Sequence, residues 1–218
     1  MSIALFDLDN TLIGGDSDYL WGCFLAERGI VDGEYYEQEN QRFYDQYKAG
    51  VLDIHEFLQF QLRPLAEHDM ATLLDLRRHY ITEKIKPIVL PKAQRLIQEH
   101  RTQGHTPVII TATNRFITSP IAELYGVEQL LATEPEVVAD RYTGSITDIP
   151  CFQEGKIHKL RNWLEANGRT LDDSWFYSDS HNDLPLLNAV THPIAVDPDE
   201  ILSRHAQTHG WQLISLRD

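Results

Sequence analysis

Phe6-Asp7-Leu8-Asp9-Asn10-Thr11-Leu12-Ile13, directly after the apolar run Ile3-Ala4-Leu5, is the stretch on which the fold of this chain turns. The apolar run predicts a short buried β-strand at the start of the protein. At its end stand two carboxylates, Asp7 and Asp9, spaced i, i+2. In a strand that spacing sends both side chains to one side. Two like charges so close repel unless a proton or a cation compensates. Mg²⁺ suits the position, because it takes oxygen ligands and binds few protein carboxylates. An acidic turn after a strand is common in any fold, so the weight of this pair depends on what the rest of the chain brings to it.

The 218 residues can bury a full core, in one domain or two. Hydrophobic and charged contents of 42% and 24% are those of an ordinary soluble globular chain. No apolar run approaches the ~20 residues of a membrane span, and no basic segment or cleavage site of a secretory leader precedes the first strand. A net charge of −14 argues against a nucleic-acid backbone or an anionic membrane as the partner. It leaves room for a small phosphorylated metabolite, whose binding depends on local charge. Cys23 and Cys151 have no metal-site spacing, and reduced thiols are expected. The expectation is a cytoplasmic monomer or homodimer.

After Gly14-Gly15, a hinge by composition, the pattern turns helical. Tyr19, Leu20, Cys23, Phe24 and Ala26 give one apolar face; Tyr35, Tyr36, Phe43, Tyr44 and Tyr47 a second; Phe57, Leu58 and Leu62 a third; Leu73, Leu74, Leu76, Tyr80 and Ile81 a fourth. Gly50 and Pro64 read as breaks between helices. Near Ile88 the rhythm changes to strands alternating with helices. Strands are expected at Val108–Ile110, Leu130–Ala132, Trp175–Tyr177, Ile194–Val196 and Leu213–Ile214. Helices are expected from Pro91 to Gly104, through Ile117 and Leu124 to Gly126, over Gly155–Gly168 and Leu184–Ala189, and over Glu200–His209, with a short hairpin at Arg141–Gly144. Such alternation predicts an α/β fold, a Rossmann-like three-layer α/β/α core with a mostly parallel sheet. Residues 1–14 and 87–218 would form that core and residues 15–86 a helical domain inserted after the first strand.

In such sheets ligands bind at the carboxyl ends of the strands. The strand at Val108 ends in Thr111-Ala112-Thr113-Asn114 and leads into a helix, whose N-terminal N–H groups make a ready anion site. The strand at Trp175 ends in Ser178-Asp179-Ser180-His181-Asn182-Asp183, and Lys156 opens the helix before it. Taken singly, Thr111 and Asn114 read as helix caps and Lys156 as a solvated lysine. Taken together they are the inventory for phosphoryl transfer, where a carboxylate attacking phosphorus needs cations to offset anion–anion repulsion. Asp7 would be the nucleophile. Asp9 would protonate the leaving oxygen and then activate water, which requires a pKa above the ~3.9 of an isolated aspartate. Asp179 would complete a Mg²⁺ site; Thr111, Ala112, Lys156 and Asn182 would bind phosphate.

These residues also carry a resemblance. Phe-Asp-Leu-Asp-Asn-Thr-Leu at 6–12, the apolar run ending in Thr111, Lys156 and Ser-Asp-Ser-His-Asn-Asp at 178–183 resemble, in order, the four motifs of the haloacid dehalogenase superfamily of phosphatases. The helical insert is similar to the cap of the phosphoserine-phosphatase-like subgroup. Gly-Gly-Asp-Ser-Asp at 14–18, Ile-Thr-Ala-Thr-Asn-Arg-Phe at 110–116 and Tyr-Ser-Asp-Ser at 177–180 resemble a bacterial branch that includes histidinol-phosphate phosphatases. The resemblance implies that Asp7 and Asp179 bind Mg²⁺ through carboxylates and Asp9 through its carbonyl, with Asp183 positioning Lys156 or a metal-bound water. Two features depart from phosphoserine phosphatases. Asp16 and Asp18 stand where those carry a substrate-gripping glutamate, and Ala112 and Thr113 stand where those have glycines.

The sequence holds no P-loop, no zinc-protease helix at His55-Glu56 and no EF-hand at Asp16-Ser17-Asp18. Among ten scattered histidines only His181, beside the acidic cluster, is a candidate for substrate contact. The Tyr35–Tyr47 stripe reads as cap core, with Tyr44 or Tyr47 facing the site as the lesser alternative. The expected activity is a Mg²⁺-dependent phosphomonoesterase acting on a small amine-bearing ester, L-histidinol phosphate first, with Asp16 and Asp18 reading the ammonium. Phosphoserine or another small metabolite is the alternative substrate. A phosphate-accepting signalling module is the rival of a different class, but it leaves an insert of about 70 residues without a role.

Overall fold

The computed structural model describes residues 2–217. In chain order its strands are β1 (Ile3–Phe6), β2 (Thr106–Asn114), β3 (Gln129–Thr133), a separate antiparallel hairpin of β4 (Pro135–Val138) and β5 (Arg141–Ile146), then β6 (Trp175–Ser178), β7 (His192–Val196) and β8 (Gln212–Ile214). Six of them form a parallel sheet in the order β3-β2-β1-β6-β7-β8, a Rossmann-like arrangement in keeping with the expected fold class. Successive strand residues leave on opposite faces. Ile3 and Leu5 pack with Val108, Ile110 and Phe176, whereas Ala4 and Phe6 pack with Ile109, Tyr177 and Ile194. Both faces are therefore buried, which is why these strands read as unbroken apolar runs.

Four helices stand between β1 and β2 before the core helices begin: α1 (Ser17–Glu27), α2 (Gly33–Lys48), α3 (Ile54–Glu67) and α4 (Met70–Tyr80). Each starts on an aspartate whose carboxylate accepts a first-turn N–H: Asp16 from Tyr19, Asp32 from Tyr35, Asp53 from His55 and Glu56, Asp69 from Thr72. A π-helical turn (Ile81–Ile85) and a 3₁₀ turn (Lys86–Ile88) lead into α5 (Pro91–Thr102). α5 and α6 (Arg115–Leu124) cover the Phe6 face of the sheet; α7 (Glu154–Asn167), α8 (Leu184–Leu187) and α9 (Glu200–His209) cover the Ile3 face.

The apolar core does not stop at the insert. Trp21 and Phe24 of α1, Leu62 of α3 and Tyr80 of α4 belong to the same cluster as Phe6, Ile97 and Phe116. Only Tyr36, Phe43 and Phe60 form a small core of their own between α2 and α3. The two chain crossings into and out of the insert run side by side, through an Ile13–Val89 bridge and a Gly14 N–H to Ile88 O bond of 2.8 Å. A Cβ on Gly15 would lie only 3.3 Å from the Ile88 side chain, so the two crossings are packed tightly together here.

Pro64 does not break the helix. α3 runs through it and ends at Glu67. The lost main-chain bond is outweighed by burial of Leu62, Pro64 and Leu65. The tyrosine stripe also divides: Tyr36 and Phe43 are core, while Tyr35 and Tyr44 are nearly half exposed. Among the described residues no helix is long and apolar enough to cross a membrane.

Candidate active site

Strand order reverses at β1, so a crevice opens at the carboxyl ends of β1 and its neighbours. There a cavity of about 380 Å³ is lined by Asp7, Asp9, Thr111, Ala112, Lys156 and Asp179. Asn182 and Asp183 from the segment after β6, and Asp16 and Asp18 from the start of α1, complete the same wall. Of the residues weighed for the site in the sequence, His181 and Asn114 do not face this space; Asn114 caps α6, accepting the Ile117 N–H at 3.3 Å. The His181 ring is held instead by Asp199, with Nδ1 2.8 Å from its Oδ2. Tyr44 and Tyr47 of α2 reach the cavity from the insert.

Asp7 and Asp9 do not arrive by strand alternation, because β1 stops at Phe6. The Asp7 N–H still bonds Tyr177 O at 2.9 Å, after which the chain turns at Asn10, whose φ is +56° and whose N–H bonds Gly15 O. This turn brings the second carboxylate back to the cavity. At β2 a bulge does similar work. Ile110 pairs with Leu131 and Asn114 with Thr133, so the partner strand advances two residues while β2 advances four. Thr111, Ala112 and Thr113 lie in that irregular stretch, and a bulge re-aims side chains. Thr133 Oγ1 pins it by donating to Ala112 O at 2.7 Å.

Among the described residues Lys156 is the only ammonium lining the cavity. Its Nζ donates to Asp7 Oδ1 at 2.7 Å and to Asp183 Oδ2 at 2.8 Å, and all three residues are buried. Burial alone would push the lysine pKa down, but Asp183 and then Asp7 outweigh it and hold the ammonium charged. For Asp7 burial is the largest influence and pushes its pKa up to about 7, with Lys156 opposing. Asp9 is pushed up to about 6, by burial and then by Asp16, while Ser17 and Thr113 pull the other way. Burial likewise raises Asp16, Asp18 and Asp179.

Residues whose part could not be read from the sequence connect these groups. Thr11 Oγ1 lies 3.4 Å from Asp7 Oδ2 and 3.3 Å from Asp179 Oδ1, spanning the two carboxylates. Thr113 Oγ1 does the same for Asp9 and Asp18. Tyr47 OH donates to Ser180 Oγ at 2.7 Å, and Asn182 Nδ2 donates to Tyr47 O at 3.3 Å. These two bonds join the insert to the end of β6. Gln153, with φ +46°, donates to Asn182 Oδ1 at 2.9 Å.

The donor set fits a hard divalent cation. Asp7, Asp179 and Asp183 bring three carboxylates to one buried spot against the single charge of Lys156. Burial first and the neighbouring carboxylates second raise Asp7 and Asp179, and an oxygen-seeking cation would relieve that crowding. Among the described residues no cluster of three or more His, Cys, Asp or Glu is disposed as a metal site, so Asp7 and Asp179 would be joined by main-chain and solvent oxygens.

A family model described as haloacid dehalogenase-like hydrolase matches residues 4–188. A histidinol-phosphatase of Neisseria meningitidis serogroup C (strain 8013) is 41% identical over 220 residues, with 99% of each chain covered. Among solved structures, a protein of unknown function from Bordetella pertussis Tohama I is 41% identical and superposes with a TM-score of 0.93 over 99% of this chain and 98% of that one. A substrate-bound phosphoserine phosphatase shares the fold at a TM-score of 0.73 and 17% identity, covering 98% of this chain and 92% of its own. The chain belongs to the haloacid dehalogenase-like hydrolases, and among them it is a phosphatase.

Proposed function

We propose that this phosphatase is a Mg²⁺-dependent phosphomonoesterase that hydrolyses L-histidinol phosphate through a phosphoryl-Asp7 intermediate. The observation that carries the reading is the buried Asp7–Lys156–Asp183 array in a cavity that Asp16 also lines. The end-to-end likeness to a histidinol-phosphatase supports the choice of ester. Residues 1–14 and 87–218 act as the catalytic core in this reading and residues 15–86 as a cap that reads the leaving group. The enzyme would then serve amino-acid biosynthesis in the cytoplasm.

Asp7 Oδ attacks phosphorus; the new P–O bond forms as the ester P–O bond breaks. Asp9 gives a proton to the departing oxygen, then takes one from the water that attacks phosphorus and releases Asp7 and phosphate. A carboxylate raised to about 6 by its surroundings is suited to both halves of that cycle. Lys156, Thr111 and the N–H groups around Ala112 bind phosphate oxygens, with Asn182 at the same wall. Asp7, Asp179 and the Asp9 carbonyl would hold Mg²⁺, which supplies positive charge to the phosphoryl oxygens. Asp16 caps α1 with one oxygen on the Tyr19 N–H at 2.9 Å and offers its charge to the substrate ammonium.

Turnover of a panel containing L-histidinol phosphate, phosphoserine, a sugar phosphate and p-nitrophenyl phosphate tests the substrate. The kcat/KM for histidinol phosphate should lead phosphoserine by about tenfold or more, a difference of ~1.4 kcal/mol. Phosphoserine in the lead would select the alternative, and a sugar phosphate in the lead would refute amine recognition. D16N retains the helix cap and should raise KM about tenfold for histidinol phosphate while leaving the KM of the amine-free sugar phosphate and p-nitrophenyl phosphate little changed, as loss of a hydrogen bond to a charged group implies.

A further inference from the structure

Thr113 sits between two carboxyl groups with a single hydrogen to give. Its Oγ1 lies 2.9 Å from Asp9 Oδ2 and 3.1 Å from Asp18 Oδ2, and both Thr113 and Asp18 are at most 5% exposed. A threonine hydroxyl donates once and accepts twice. With both carboxyls ionised, one of these approaches would set lone pair against lone pair at a hydroxyl that is itself only 4% exposed. One carboxyl must therefore supply the second hydrogen.

The remaining contacts say which. Asp9 Oδ1 accepts the Ser17 N–H at 2.6 Å, a short bond of the kind an ionised acceptor makes. Ser17 is itself fixed by Tyr80 OH, which donates to its carbonyl at 2.7 Å. The other partner of Asp18, the Asn114 amide, stands off at 3.4 Å. We infer that Asp18 is an uncharged acid that donates to Thr113, leaving the Thr113 hydrogen for Asp9 and so holding the Asp9 carboxylate in its place in the cavity. Burial pushes the Asp18 pKa well up, with Asp16 and Asp9 adding to it, in keeping with this arrangement. Asp18 is then a positioning residue. Unlike Asp16 it brings no charge to a substrate ammonium.

The inference rests on the reading that Asp9 handles the leaving-group proton, and leaving-group dependence separates the two. Wild type, D9N, D18N, D18A, T113V and T113S are compared on histidinol phosphate, whose alkoxide needs a proton, and p-nitrophenyl phosphate, whose phenolate departs without one. D18A and T113V should lower kcat/KM on the alkyl ester by about 10–100-fold, through kcat, and on the aryl ester by less than about threefold. D18N, whose amide N–H can replace the acid O–H, and T113S should recover most of the alkyl-ester rate. Losses by D18A and T113V that are equal on both esters would mark the pair as merely structural and overturn the inference. So would a D18N that raises KM for the amine ester alone, or one as damaged as D18A. If D18A fails to fold, D18N and the T113V–T113S pair still separate positioning from a structural role. A D9N loss that ignores the leaving group would refute the acid–base reading of Asp9 itself, and this inference with it.

Discussion

Lys156 pairs with two buried carboxylates at once, Asp7 and Asp183, and its removal differs from removal of either acid. K156M leaves both acids uncompensated where solvent cannot reach them, a loss of about 3–5 kcal/mol for a broken buried pair. D7N leaves Lys156 paired with Asp183 through contacts of 2.7 and 2.8 Å, so the fold should survive. Thermal melts and turnover together should show K156M with lowered Tm and no activity, and D7N with near wild-type Tm and activity reduced by at least about 10³-fold. Substantial turnover by D7N would remove Asp7 as the nucleophile. The acids and the lysine are legible in the sequence only together: singly an acidic turn and a helix lysine are ordinary, and it is their joint placement around the sheet's carboxyl edge that singles them out. Thr11 and Thr113 are not, because a threonine is informative only once the direction of its hydroxyl is known. The turn at Asn10 and the bulge in β2, which set those directions, leave no mark in residue type.

The segment that delivers Lys156 is tighter than its composition suggests. A Cβ on Gly155 would fall 1.9 Å from Pro150 O, and Gln153 two residues earlier holds φ +46°. Backbone strain of this kind is expected beside functional groups. G155A must push the start of α7 away from Pro150, and Lys156 moves with it. The expected result is a stability loss of about 1–3 kcal/mol together with at least a tenfold fall in kcat, read by denaturant unfolding and by assay on p-nitrophenyl phosphate. Wild-type activity in G155A would mean that the helix start adapts and Gly155 positions nothing. The helix itself is readable from Ile157, Leu160, Trp163 and Leu164 on one side. The need for glycine at its first turn is not, since it depends on the carbonyl of Pro150 in the preceding loop. Pro64 shows the converse: a strong local signal for a break is overridden by burial of the residues around it, which only the packed molecule reveals.

For the molecule as a whole, the charge of −14 resolves into separate uses. Four aspartates cap the inserted helices, and a second group, to which Asp16 also belongs, crowds the cavity. The second group makes stability depend on pH and on cations. In the metal-free protein Asp7 is raised from 3.8 to about 7, Asp9 to about 6, and Asp18 and Asp179 are raised too. The folded state then keeps protons that the unfolded chain has already lost, so the stabilising effect of these groups declines as pH rises from about 4 through the raised values. His100 works the other way. Burial lowers its pKa from 6.5 to about 4, so its contribution grows as pH rises through that window and is complete above 6.5. Between pH 6.5 and 8 the raised acids dominate, and the metal-free protein should melt lower at pH 8. A divalent cation competes with protons for Asp7 and Asp179, so its benefit should be larger where those protons are gone. At a concentration about 100 times its Kd it would add ~2.7 kcal/mol, or roughly 5–10 °C in a chain of this size. Melting of EDTA-treated protein with and without Mg²⁺, at pH 6 and pH 8, should show the larger shift at pH 8. An equal shift at both values, or a metal-free Tm that rises with pH, would mean that the cavity acids are already ionised and compensated by groups within the protein.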